Sequence, residues 1–404
     1  MKYRRFAAIC IVCVLFLGGC APFDSLLHPF TDHVYDAGKY QDEFSERWEY
    51  RQLDAEEKSY YAQLYTAVTD TTASDSTVSY VDAAGVPLEV PGIRVVMPGA
   101  TLSNESIVRI YEAFYNDNPQ FVYLDRTYSL EGRRRLDGSS YYNTVILQYT
   151  MTAPQRIQAV NALQAASEMI LAECPKTDDQ YVIERYLHDQ LNARCTYDMA
   201  AAESDITAVP NAYTAYGALV EGKAVCEGYA KAMQLLLQQV SIPVTLVTGT
   251  VRESSEPHMW NLVSIHGETY HLDATWNDTN DQALHTFFNL TTEMVDLSYT
   301  IDNAESLPLC TAVTDNVFVR ENTVVDTYER QIIAQKIADR IRADDTTIQL
   351  RFENGKYENG LLFLKNKKLM SSMVNAYLSE SGLSMWEYSL WADSGQQVLT
   401  LIKE

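Results

Sequence analysis

Ala224-Val225-Cys226-Glu227-Gly228-Tyr229 opens the segment that decides the fold. Behind it, apolar residues recur at Ala230, Met233, Leu236, Leu237 and Val240, and Ser241-Ile242-Pro243 closes the run. That spacing predicts a helix over residues 226–240 with Cys226 in its first turn. A thiol near its free pKa is mostly protonated at neutral pH. The unpaired N–H groups and the positive dipole end of a helix start favour its thiolate. The same N–H groups can donate to an oxyanion, with Gly228 expected to leave room for close approach.

An activated thiol also needs a base, and the base needs a group to orient it. His258-Met259-Trp260-Asn261 and His271-Leu272-Asp273-Ala274-Thr275-Trp276 supply both types. Residues 260–265 and 268–275 read as strands flanking His266-Gly267, a two-residue turn. In that register Ile265 pairs with Glu268, Trp260 faces Asp273, and His258 lies diagonally from Asp273 on the same face. Diagonal neighbours sit about 7 Å apart, within reach of an imidazole–carboxylate hydrogen bond. His266 becomes a turn residue, and His271 remains a weaker competitor as base.

Cys-x-Gly-Tyr-Ala at a helix start, then His-x-Trp-Asn, then Leu-Asp-Ala-Thr-Trp resembles the core of the transglutaminase-like superfamily. The likeness covers roughly residues 178–290, including Tyr186-Leu187-His188-Asp189 and Tyr197-Asp198 upstream and Gly249-Thr250 at the expected end of a strand from Val244. It implies an α+β, papain-like core in which Cys226 is the nucleophile, His258 the general base and Asp273 its orienting carboxylate. Trp260, Gly228 and Tyr229 become candidates for the substrate cleft. Gln190, Asn192 and Tyr216 are candidates for the side-chain donor to the oxyanion. Crosslinking members carry tryptophan directly after the nucleophile, where this chain has Glu227, so hydrolysis is expected over crosslinking.

Lys2, Arg4 and Arg5, the apolar run 6–16 and Leu17-Gly18-Gly19-Cys20 read as a secretory leader. Cys20 resembles a bacterial lipobox cysteine and is the expected lipidation site. The apolar run is shorter than the ~20 residues of a spanning helix. The expected location is therefore the extracytoplasmic face of a bacterial cell membrane, held by the N-terminal lipid. The chain of 404 residues is 47% hydrophobic and has a net charge of −23, which becomes −26 once the three leader cations are removed. Nucleic acid is excluded as a partner, because neutralising phosphates requires a basic face.

Of seven cysteines, Cys174, Cys195, Cys226 and Cys310 remain beyond the leader and Cys20. They show no zinc-type spacing, and a disulfide between Cys174 and Cys195 is one open expectation. The expected organisation is a leader over residues 1–19, a tether and helical segment over 20–90, an α/β module over 91–175, the catalytic core over 176–300 and a second α/β module over 301–404. Within it, residues 71–79 read as a polar linker and 364–379 as a helix. Both flanks read as β-α-β-β modules. The functional expectation is a surface-anchored thiol enzyme cleaving amide bonds of protein or peptide substrates through a thioester, with no metal or organic cofactor. The alternative is a binding module that keeps the fold without the chemistry.

Overall fold

The structure, a computed structural model, describes residues 11–16, 35–81, 87–97, 100–134, 138–278 and 284–404, with the backbone alone at 11–16, 80, 81 and 87. The expected cleavage site and Cys20 lie outside the described residues. The fold is α+β. Contacts divide the chain into two compact units, one holding the residues up to Lys176 together with Arg194–Leu246, the other Thr177–Ala193 with Val247–Glu404.

The first unit is built on a sheet in the order Ile11–Phe16, Leu124–Arg134, Ser140–Tyr149, Pro87–Val96, Thr77–Val81. Ile11–Phe16, part of the expected leader, runs parallel to Tyr128–Arg133. An apolar run rich in β-branched residues suits a strand as well as a leader. Thr77–Val81 corrects the reading of residues 71–79 as linker: it pairs antiparallel with Pro87–Pro91. The helix Ala55–Asp70 begins at Asp54, whose carboxylate accepts from the Glu56 and Glu57 N–H groups while Glu57 reaches back in a capping box. The helix Asn104–Asp117, capped by Ser103, buries Ile107, Ile110, Tyr111 and Phe114 on one face.

The helix Cys226–Gln239 also belongs to this unit and is buried along its length as far as Leu237. Each fully buried leucine contributes about 1.5–3 kcal/mol, so this helix is fixed by packing all round. No disulfide joins Cys174 and Cys195; Cys195 is buried and its sulfur points to the Thr196 carbonyl, at 3.8 Å.

The second unit contains the helix Gln180–Asn192, capped by Asp179, and a sheet in the order Glu268–Leu272, Pro257–Ile265, Val244–Val251, Tyr299–Ile301, except that the first three residues of Val244–Val251 fall in the first unit. Ile265 pairs with Glu268 and Leu272 with Asn261, and His266 and Gly267 take positive φ of 51° and 84°. That is the geometry of a primed two-residue turn. The strand from Val244 does not end at Gly249-Thr250, because both residues pair onward with Ile301 and Thr300. Glycine serves packing here: a Cβ at Gly249 would sit on the Thr300 carbonyl oxygen and 2.8 Å from the Trp260 ring.

A further sheet orders Val324–Val325, Thr347–Phe352, Val398–Lys403, Tyr388–Asp393. Arg330–Arg342 packs on it as a helix absent from the sequence reading, and the helix expected at 364–379 is two, Tyr357–Lys365 and Lys367–Leu378, broken at Asn366. In residues 87–149 the first strand pairs antiparallel with the third and the third antiparallel with the second. Thr347–Phe352, Tyr388–Asp393 and Val398–Lys403 have the same connectivity.

Gly249→Ala forces a methyl group between two strands and the Trp260 ring. The expected loss of stability is about 1–3 kcal/mol, read by urea denaturation. A variant as stable as the parent would show that this strand is not closely packed.

Candidate active site

Cys226 belongs to the first unit. Cys226 is the first residue of its helix and is 8% exposed, and the preceding Val225 is extended and offers no side-chain cap. The first-turn N–H groups therefore have no partner from a capping side chain. Gly228 lies against the backbone: its Cβ would come within 2.6 Å of the Ala212 carbonyl and 2.7 Å of Ala224. Its missing side chain lets the helix pack on residues 210–214. Tyr229 is fully buried.

Glu227, next to Cys226, is a buried ion-pair partner. Its carboxylate binds the Arg126 guanidinium and accepts from Lys231 Nζ at 2.8 Å one turn along the helix. Burial pushes the Glu227 carboxyl up, but the Lys231 and Arg126 charges more than offset it and leave the group below its ordinary value. Lys231 donates to Tyr115 Oη at 3.2 Å and lies over that ring. Arg126 lies over the Tyr213 ring. The Tyr213 phenol is raised first by burial, lowered by Arg126 and raised again by Cys226, so the guanidinium and the thiol act on the same group.

His258 and Asp273 belong to the second unit. His258 Nε2 and Asp273 Oδ2 are 2.7 Å apart, the diagonal pair that the hairpin register predicts. Tyr299 Oη donates to the same oxygen at 2.5 Å, and the N–H groups of Thr275 and Trp276 donate to Oδ1 at 2.9 and 3.3 Å. Burial alone would raise this carboxyl, yet His258, Tyr299 and the backbone donors hold it below its ordinary value. Asp273 is therefore an acceptor only, and His258 Nε2 carries the proton between them.

His271 is not built as a base. Its Nδ1 accepts the Trp260 indole N–H at 3.1 Å, its Nε2 faces Thr292 Oγ1 at 3.3 Å, and burial pulls its pKa down to about 4. Trp260 is 1% exposed and stacks on His258 at 5.8 Å, so it positions the imidazole from the core side. His266 hydrogen-bonds Asp315 from its turn.

One residue near the base escaped the sequence reading. Tyr299 lies 26 residues beyond Asp273 in a three-residue strand and gave no local signal. Trp276 closes the Asp273 motif and was legible as a neighbour. It is 46% exposed and turns its edge to His258 at 6.3 Å. An exposed tryptophan against the imidazole is better placed to meet a substrate than the buried Trp260.

Among the described residues, the ligand-type atoms of His188, Asp189 and His285 lie within 4.8 Å of one another. Their hydrogen bonds oppose a metal. Asn277 Oδ1 accepts the Phe287 N–H at 2.9 Å, so its Nδ2 donates to His188 Nε2 at 3.1 Å. A metal on His188 Nδ1 would put a proton on Nε2, facing that donor instead of the acceptor that metal-bound imidazoles have. Both histidines instead donate to Asp189 Oδ1, at 2.9 and 2.7 Å.

Residues 169–276 match the model of the transglutaminase-like superfamily, and this stretch is a transglutaminase-like domain. No curated protein matches the chain. Among solved structures, a TGase shares 15% identity over 48% of this chain and 53% of its own, with a TM-score of 0.28. The likeness thus spans about half the length of that chain. A candidate cysteine protease from Cytophaga hutchinsonii shares 14% identity over 48% of this chain and 75% of its own, with a TM-score of 0.24.

The His271 pKa has a consequence for stability. Its folded value lies below the unfolded 6.5, so the folded state is favoured fully above pH 6.5 and loses that contribution as pH falls through about 4. His271→Gln, whose amide oxygen can take the Trp260 N–H without titrating, is expected to flatten that part of the stability–pH curve. Identical acid slopes in parent and variant would contradict the buried neutral imidazole.

Proposed function

We propose that the protein is a thiol enzyme that cleaves amide bonds, peptide or glutamine-type, through a thioester on Cys226. The observation that carries this reading is the His258–Asp273 pair, at 2.7 Å with the carboxylate saturated by four donors, in a domain of the transglutaminase-like superfamily. Members of that superfamily are cysteine peptidases or acyltransferases.

In the proposed cycle Cys226 Sγ gives its proton to His258 Nδ1, since Nε2 is engaged by Asp273. The thiolate attacks the carbonyl carbon, and the oxyanion accepts N–H groups at the helix start. His258 returns the proton to the leaving amine as the C–N bond breaks. It then takes a proton from water as water attacks the thioester, releasing the acid and restoring the thiol. Asp273 holds the imidazole and stabilises its cationic form throughout. Hydrolysis is favoured over crosslinking because the ion-paired Glu227 occupies the position where crosslinking relatives have tryptophan.

We place this activity at an extracytoplasmic membrane surface, with a lipid on Cys20 as the anchor and surface proteins or peptides as substrates. The short apolar leader ending in Leu17-Gly18-Gly19-Cys20 supports this. Changing Cys20 to Ala is expected to abolish labelling by a fatty-acid probe, and retained labelling would refute the anchor.

Incubation with native cell-surface peptide material is expected to leave an acyl adduct whose mass maps to Cys226. Asp273→Asn should retain the fold and lower kcat on the order of 10⁴, with little further loss on adding Cys226→Ala, because the groups act as a unit. Full turnover in Cys226→Ala at unchanged thermal stability would end the catalytic reading and leave a binding module.

A further inference from the structure

We propose that Arg126, supplied by the flanking strand Leu124–Arg134, is a positioning residue of the thiol centre that balances the buried Glu227 carboxylate beside Cys226. The inference rests on the reading of Cys226 as nucleophile. It assigns to the N-terminal module a part in the chemistry.

Glu227 follows Cys226 directly and its side chain is 3% exposed. An anion so close to a thiol, and so little screened, opposes formation of a second negative charge. Lys231 alone would only cancel it, giving a neutral pair one turn into the helix. Arg126 makes the cluster two cations to one anion, so the group next to Cys226 in the chain carries a net positive charge. The groups linked to Glu227 are Lys231 on the helix itself, which donates to Tyr115 on the helix Asn104–Asp117, and Arg126 on its strand, which lies over Tyr213 in the short turn Pro210–Tyr213; Tyr213 also feels Cys226 and Asp205. Of these, only Arg126 and Lys231 carry positive charge. Arg126 is also the more accessible, with 27% of its side chain exposed against 7% for Lys231.

Arginine is suited to the position because its planar fork can bind a carboxylate while its face lies on an aromatic ring. Arg126 does both, with Glu227 on its edge and its Cζ 5.3 Å from the Tyr213 ring centroid. The same contacts pin the first turn of the helix, where the reacting sulfur and the oxyanion donors reside.

The test follows the rate of alkylation of Cys226 by iodoacetamide against pH in the full chain, read peptide by peptide by mass spectrometry. In the parent, Cys226 is expected to react faster than Cys174 and Cys310 below pH 8. A Cys226 that does not would overturn the nucleophile reading itself, whatever the role of Arg126. With an activated parent, Arg126→Gln is expected to move the midpoint of the Cys226 profile upward by about one pH unit or more. Arg126→Lys should restore most of that shift, and adding Glu227→Gln to Arg126→Gln should return the midpoint close to the parent's. An unchanged midpoint in a folded Arg126→Gln protein overturns the proposal. If circular dichroism shows that Arg126→Gln does not fold, Glu227→Gln alone decides: a lowered midpoint supports the proposal and an unchanged one overturns it.

Discussion

The carboxylate of Asp273 is the constraint around which its surroundings in the second unit are built. A buried carboxylate costs several kcal/mol unless every lone pair is met. Asp273 is met by an imidazole, a phenol and two backbone N–H groups from three stretches of chain. The His266-Gly267 turn fixes the register that brings His258 to it, the turn after Asp273 supplies the amides, and the short strand Tyr299–Ile301 delivers the phenol. Each of these segments is held in place by packing unrelated to chemistry. Trp260 lies over Gly249 on the same sheet and presses its face on His258.

The surroundings of Glu227 in the first unit obey the same rule. Glu227 is buried beside the sulfur, and its charge recruits Lys231 from the next turn and Arg126 from a strand about a hundred residues earlier. In both units, then, an ionised group inside the protein dictates which distant segments must meet. Hydrophobic packing alone would tolerate many arrangements of these segments. Satisfying a buried charge tolerates very few.

This explains what was legible in the sequence. The His258–Asp273 pair was readable because a two-residue turn sets the register and the register sets the diagonal. The helix at Cys226 was readable because its periodicity is local. Tyr299 and Arg126 were not, since both are recruited across long separations by a charge that has no sequence period. Gly249 misled as a strand end, because glycine marks both chain reversal and close approach, and here Trp260 and Thr300 require the latter. The strand Thr77–Val81 was hidden in a Thr- and Ser-rich stretch whose pairing depends on its partner Pro87–Pro91. The pairing of Cys174 and Cys195 stayed open in the sequence, because two cysteines 21 positions apart say nothing of geometry; in the structure both are free thiols.

The central proposal is that Cys226 and His258 act together in one catalytic cycle. It is tested most directly by nitrogen NMR of the His258 ring, titrated across the neutral range in the parent protein and in Cys226→Ala. The account predicts that His258 remains protonated to higher pH when the thiolate is present and that its midpoint falls once the sulfur is removed. A His258 midpoint that is the same in both proteins would contradict it.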